Sequence, residues 1–203
     1  MVLLGVTFLA TSGGVPGRSY SGTPARITID AGHGGYDPGA IVSGISEKTV
    51  NLQIALKIRE IGAKHPTLDL HFTRTSDDYI SLIRRLEVAE GNGSDAYISI
   101  QANSFHDPSV SGVETLLDGQ RRRSSSSWAM AESVQQAIVD RTGARDRGIR
   151  RQRLYTRYTS MPSALVEVGF LSSPSERSRL IRTDYQEAIA RGVIQGLLVH
   201  FSR

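Results

Sequence analysis

The chain has 203 residues, 24 Lys and Arg against 20 Asp and Glu, and no cysteine. That length suits one domain with a full core, and the composition excludes a chain that is disordered or membrane-embedded throughout. Without cysteine there can be no disulfide, thiolate metal site or cysteine nucleophile.

The chain opens on an apolar run, Val2 to Ala10, followed by a Gly/Ser/Pro-rich stretch to Pro24. Roughly nine apolar residues fall short of the about 20 that span a bilayer as a helix. They match the apolar region of an export signal, although no Lys or Arg precedes them. Residues 1–25 are therefore read as an apolar export or anchor segment with a flexible linker, and residues 26–203 as the domain. This places the protein outside the cytoplasm, with membrane contact only through that segment if it is retained.

From residue 26 short apolar runs alternate with amphipathic stretches. Arg26–Asp30 reads as a strand and His33–Gly44 as a glycine-rich loop. Ser46 can cap a helix running to about Ala63, with Val50, Ile54, Ile58 and Ile61 on one face. Leu68–Phe72 is a second strand. Ile80–Glu90 reads as a helix burying Ile80 and Ile83, with Leu86 and Val88 beside them. Ala96–Ile100 and Val113–Leu117 are further strands. Arg121–Ser127, a basic run followed by serines, has nothing to bury and is expected to be a flexible loop. A helix over Trp128–Arg141 follows, with Val134, Ala137 and Ile138 inward. Ser163–Val168 is nearly all apolar, as in a central strand covered on both faces. Pro174 can open a short helix, and Tyr185–His200 forms the last one. The alternation implies an α/β class: a single domain with a mostly parallel twisted sheet and helices on both faces.

Charge is unevenly spread. Residues 141–157 hold seven arginines against one acid, Asp146, and Arg121-Arg122-Arg123 adds a second cluster. Such clusters suit polyanions, or merely a solvated surface. No nucleic-acid-binding motif accompanies them, so a nucleic-acid partner is not expected.

In sheets of this class ligands gather beyond the carboxyl ends of the strands. His33 follows Arg26–Asp30, Gln101 follows Ala96–Ile100, Glu167 sits near the end of Ser163–Val168, and Glu47 falls in the first turn of the helix after the glycine loop. Singly, a histidine between glycines is often only a loop residue, and a glutamate in a first helical turn is favoured by the helix dipole. Glu167 is harder to dismiss, because burying a carboxylate costs several kcal/mol unless a partner or metal compensates it. Together the four suggest a metal or acid–base site.

Several segments carry a family resemblance. Asp30-Ala31-Gly32-His33-Gly34-Gly35, Glu47, Ser99-Ile100-Gln101-Ala102-Asn103 and Leu165-Val166-Glu167-Val168-Gly169-Phe170 resemble, in order, the zinc-dependent N-acetylmuramoyl-L-alanine amidases of bacterial cell walls, the Amidase_3 family. Thr73-Arg74-Thr75-Ser76-Asp77, Leu82 with Arg85, and Asp146-Arg147-Gly148-Ile149 are similar to further family segments. By that resemblance His33 and Glu47 are zinc ligands, Glu167 is the catalytic carboxylate, and the substrate is peptidoglycan. The bond implied is the amide between N-acetylmuramic acid and L-alanine.

At residue 101 this sequence departs from the family, which usually has a histidine as third zinc ligand. Two substitutes stand open: Gln101 through its side-chain oxygen, or His106 from Phe105-His106-Asp107. Two functional readings follow, an amidase with an impaired zinc site or a non-catalytic peptidoglycan-binding or regulatory relative. A serine hydrolase is set aside, since no Gly-x-Ser-x-Gly elbow is present. The sequence names no regulatory protein partner.

Overall fold

A computed structural model describes residues 22–202. Most of the export or anchor segment expected over residues 1–25 lies outside the described residues. Among these, no helix is long and apolar enough to cross a membrane.

The domain is built on a six-stranded sheet. In chain order the elements are β1 (Ala25–Ala31), a two-stranded hairpin of β2 (Ile41–Val42) and β3 (Ile45–Ser46), α1 (Glu47–Gly62), β4 (Leu68–Phe72), α2 (Leu82–Gly91) and β5 (Ala96–Asn103). They continue as β6 (Val113–Asp118), α3 (Ser126–Thr142), β7 (Asp146–Gln152), a short 3-10 turn over Tyr155–Tyr158, β8 (Ser163–Phe170), α4 (Pro174–Leu180) and α5 (Thr183–Phe201). The sheet order is β4-β1-β5-β8-β6-β7. All neighbouring pairs are parallel except β6 with β8. The expected α/β class and mostly parallel sheet are observed, with β8 in an interior position.

Side-chain alternation assigns the two faces of the sheet. Ile27, Ile29, Ile98, Ile100, Val166 and Val168 point into the main core against α1, α3 and α5. Gly192 and Gly196 let α5 press against α3, since a Cβ at Gly196 would lie 2.5 Å from the Cα of Val134. The opposite face is thinner and more polar. There Tyr97 packs with Leu86 and Ala89 of α2, Met161 and Tyr155, and the intervening sheet positions are Thr28, Asp30, Ser99, Gln101 and Glu167.

Two local expectations are corrected, and one stretch left without an element gains one. Ile83 is 48% exposed, because α2 starts at Leu82 behind its Ser81 cap and turns Arg85, Leu86 and Ala89 inward. The seat expected for an isoleucine belongs to Arg85, which pairs with the buried Asp30. Arg121 does not sit in a loose loop: its Nη2 donates to the carbonyls of Thr156, Thr159 and Met161, and Ser125 caps α3. Asp146–Gln152, part of the arginine stretch, forms edge strand β7, whose register shift leaves Gly148 at φ 74°.

Asp30 is fully buried. It accepts hydrogen bonds from Thr73 Oγ1 at 2.6 Å, Arg85 Nη1 at 2.7 Å and Ser99 Oγ at 2.7 Å. Arg85 also donates to the carbonyls of Ala31, His33 and Ile80. Removing one partner of a buried, hydrogen-bonded ion pair strands the other charge, so Asp30→Ala should destabilise the fold by about 3–5 kcal/mol. Urea denaturation checks this, and a loss below about 1 kcal/mol would contradict the role given to Asp30.

Candidate active site

The four residues singled out in the sequence meet in one cleft of about 390 Å³, lined by His33, Ala40, Glu47, Leu82, Gln101, Asn103, Ser104, Leu154, Tyr155, Leu165 and Glu167. It lies at the carboxyl ends of β1, β5 and β8. His65, His71, His106 and His200 are not among its lining residues. His106 packs instead against exposed Phe105, with ring centroids 4.1 Å apart. A larger groove of about 900 Å³ between α3, α5 and β7 contains none of these four residues.

Strand register explains the convergence. Gln101 on β5 pairs with Glu167 on β8, and Glu167 pairs with Glu114 on β6. Three adjacent strands thus set their side chains in a row on the thin face. Glu114 was not singled out from the sequence. It is buried and accepts hydrogen bonds from Asn103 Nδ2 at 3.2 Å and Arg147 Nε at 2.7 Å, with Arg150 Nε 3.3 Å away. Only pairing β6 with β8 reveals it, and no local pattern in Val113–Leu117 does so.

His33 enters the cleft from a tight turn. It occupies left-handed backbone, φ 60°, a conformation that costs a non-glycine residue about 1–3 kcal/mol and is held by surrounding structure. Its Nδ1 meets Asp37 Oδ2 at 2.9 Å, and its Nε2 faces Glu47 Oε2 at 3.3 Å. Burial alone would lower the His33 pKa, but the Glu47 and Asp37 carboxylates raise it to about 9. Glu47 is fixed by two backbone amides, Ala40 N to Oε2 at 3.0 Å and Ala102 N to Oε1 at 3.2 Å.

Gln101 is engaged at both ends of its carboxamide. Nε2 donates to Ser99 Oγ at 3.0 Å, and Oε1 accepts from Asn51 Nδ2 at 3.3 Å. Its head lies over Gly32, where a Cβ would come within 2.2 Å of all three carboxamide heavy atoms. Gln101 therefore extends the Asp30 network, through Ser99, to the edge of the cleft.

Glu167 has the opposite character. The residue keeps partial contact with the cleft, yet its Oε2 is enclosed without a hydrogen-bond partner. Burial first, then the nearby Glu47 and Glu114 carboxylates, push its carboxyl well above the ordinary range, while His33 partly offsets them.

Residues 27–199 match the Amidase_3 family, described as N-acetylmuramoyl-L-alanine amidase. The chain belongs to this family. LytC of Bacillus subtilis, an N-acetylmuramoyl-L-alanine amidase, is 34% identical over 176 residues, which make up 86% of this chain and 35% of LytC. The chain thus spans about a third of that relative's length. An N-acetylmuramoyl-L-alanine amidase from Clostridium difficile 630 superposes with a TM-score of 0.85 at 34% identity, covering 89% of this chain and 98% of that one. The catalytic domain of CwlV from Bacillus (Paenibacillus) polymyxa var. colistinus gives a TM-score of 0.82 at 37% identity, covering 88% and 98%. The Amidase_3 match encloses every lining residue of the cleft.

The raised His33 pKa sets the pH behaviour of the metal-free Amidase_3 domain. Its proton is bound more tightly in the folded state, so the stability it contributes is full below pH 6.5 and is lost as pH rises through about 9. NMR titration in chelator should place the His33 imidazole near 9, and Asp37→Asn should move it down toward 6.5. An unmoved midpoint would show that Asp37 does not hold the ring.

Proposed function

We propose that this domain hydrolyses the amide bond between N-acetylmuramic acid and L-alanine in peptidoglycan, outside the cytoplasm, with a zinc site weakened at residue 101. The observation that carries this reading is the facing of His33 Nε2 and Glu47 Oε2 at 3.3 Å, in one cleft with the unpartnered Glu167 carboxyl. Two donors bound to one tetrahedral zinc at about 2.0–2.1 Å would stand about 3.3 Å apart. Their types fit as well, an imidazole nitrogen and a carboxylate. Gln101 offers only a neutral amide oxygen, a poor zinc donor. Among the described residues no three His, Cys, Asp or Glu side chains form a metal-binding group. The donor set therefore suits zinc through His33 and Glu47, with Gln101 as a weak third position.

Zinc, when bound, supplies Lewis acidity for the scissile carbonyl and lowers the pKa of water to about 7. The chain's own residues do the rest. Asp37 fixes the His33 ring so that Nε2 faces the cleft, a partner that orients a ligand and increases its basicity. The Ala40 and Ala102 amides hold the Glu47 carboxylate. Glu167 takes the proton of the attacking water and hands it to the departing L-alanine nitrogen. Leu82, Leu154 and Leu165 add apolar surface to the lining of the cleft.

A second reading has its own observation. Because both ends of the Gln101 carboxamide are already bonded within the protein, the cleft can persist as a peptidoglycan-binding groove without metal. The two readings separate on Gln101→His. In an impaired amidase this change should raise zinc affinity by about two orders of magnitude or more and bring amide cleavage with it. Glu167→Gln in that background should lower cleavage by about 10²–10⁴-fold while sparing the metal. Zinc content by elemental analysis and release of free stem peptide are the readouts. A Gln101→His protein that fills with zinc yet releases no peptide would establish the binding module.

Ligands must shed their protons to bind, and His33 holds one up to about 9. Zinc affinity should thus climb about tenfold per pH unit from 7 towards that value. Competition with a chromogenic chelator measures the slope, and a flat response would remove His33 from the site.

A further inference from the structure

Tyr36 and Tyr79 stack with ring centroids 4.1 Å apart and planes 26° from parallel. They remain 80% and 42% exposed. A single exposed aromatic is ordinary, but a stacked pair held open to solvent beside a cleft marks a contact surface.

The pair is held rigidly. Gly34 and Asp37 exchange backbone hydrogen bonds at 2.9 and 3.1 Å, which places Tyr36 at the tip of a tight turn three residues after His33. Beneath that tip, Asp77 accepts from Gly35 N at 2.9 Å and from Lys48 Nζ at 2.6 Å, and Lys48 also donates to Gly35 O at 2.7 Å. Gly35 sits at φ 59°, and a Cβ there would lie 2.8 Å from Tyr79 N. The two segments can approach this closely only because residue 35 lacks a side chain. The rings are therefore pre-set, and a ligand need not order them.

Neither ring lines the cleft, but both segments lead into it along the chain. The Tyr36 turn runs on to Asp37, which holds the His33 ring, and the Tyr79 segment runs through Ser81 into Leu82, a cleft-lining residue. Of the carboxylates beside them, Asp77 pairs with Lys48 and Asp37 with His33, while Asp78 adds an exposed negative charge. The arginine-rich strand β7 lies at the far edge of the sheet, with β5, β8 and β6 between it and β1. This end of the cleft suits an uncharged ring rather than an anion.

We propose that the Tyr36–Tyr79 pair is a saccharide subsite, in which the outer face of Tyr36 stacks on a pyranose ring of the glycan strand while the stem-peptide amide enters the cleft. The inference rests on the amidase reading above and deepens it. A pyranose presents a face of C–H groups that complements the negative face of an aromatic ring, and the phenol hydroxyls can meet its polar rim. In such a substrate the lactyl carboxyl is consumed in the amide, so the sugar beside the cleft carries no charge there.

The test uses chitooligosaccharide, an uncharged N-acetylglucosamine chain, as the glycan probe, and free stem peptide as control, with binding followed by calorimetry. Tyr36→Ala should weaken glycan binding about tenfold, whereas Tyr36→Trp and Tyr36→Phe should hold it within about twofold. Thermal unfolding of each variant confirms that the fold is intact. Equal glycan binding by Tyr36→Ala and the unsubstituted protein would overturn the subsite. So would a loss in Tyr36→Ala confined to free stem peptide. Failure of the amidase reading looks different. If the Gln101→His protein releases no stem peptide while glycan binding still depends on Tyr36, the amidase reading falls and the subsite stands. If release proceeds and glycan binding ignores Tyr36, the subsite falls and the amidase reading stands.

Discussion

Asp30 sits at the end of β1 with no solvent contact, where an unpaired carboxylate would cost several kcal/mol. Its compensation comes from separate parts of the chain: Thr73 after β4, Arg85 in α2 and Ser99 on β5, with the Tyr155 hydroxyl 3.4 Å away. Three of these bear on the cleft. Ser99 orients the Gln101 amide, Arg85 holds the His33 carbonyl, and Tyr155 lines the wall. The chemistry of the cleft is thus arranged around a carboxylate that does not line it.

Sheet parity decides which side chains can take part. One face is given over to aliphatic packing against three helices, and the other collects Thr28, Asp30, Ser99, Gln101, Glu167 and Glu114. Among the described residues, α2 and the segment from Leu154 to Met161 pack on that second face. Electrostatics then divides the carboxylates. Glu47 and Glu114 have hydrogen-bond donors, whereas one oxygen of Glu167 has none. Burial and the neighbouring Glu47 and Glu114 carboxylates push the Glu167 carboxyl well above its ordinary range, with His33 partly offsetting them.

Much of this was legible in the sequence wherever periodicity is strong. The apolar runs of β1, β5 and β8 and the Val50-Ile54-Ile58-Ile61 face of α1 are written in side chains that can only face a core. His33, Gln101 and Glu167 stand near strand ends, where ligands gather, and Glu47 in the first turn of α1, but their roles are read from the resemblance to Amidase_3 segments. What escaped has physical reasons. β7 carries one aliphatic residue, Ile149, among arginines, because an edge strand needs little burial and charged edges resist further pairing. Arg85 displaced Ile83 from the inner face of α2 because a long-range ion pair outweighed local hydrophobicity. Arg121 looked solvated because its acceptors, four backbone carbonyls and the Ser163 hydroxyl, lie some forty residues on. Glu114 and Asp37 gain their significance only from neighbours that the fold supplies.

The reach of Arg85 gives the domain a particular pattern of local opening. One guanidinium bridges α2 to the carbonyls of Ala31 and His33 and to Asp30, so opening of α2 loosens the turn that carries His33. Arg74 keeps a second hold on that turn through the Ala31 and Gly32 carbonyls. Local opening of the helix is thereby coupled to the backbone that presents the histidine, through a side chain that never enters the cleft.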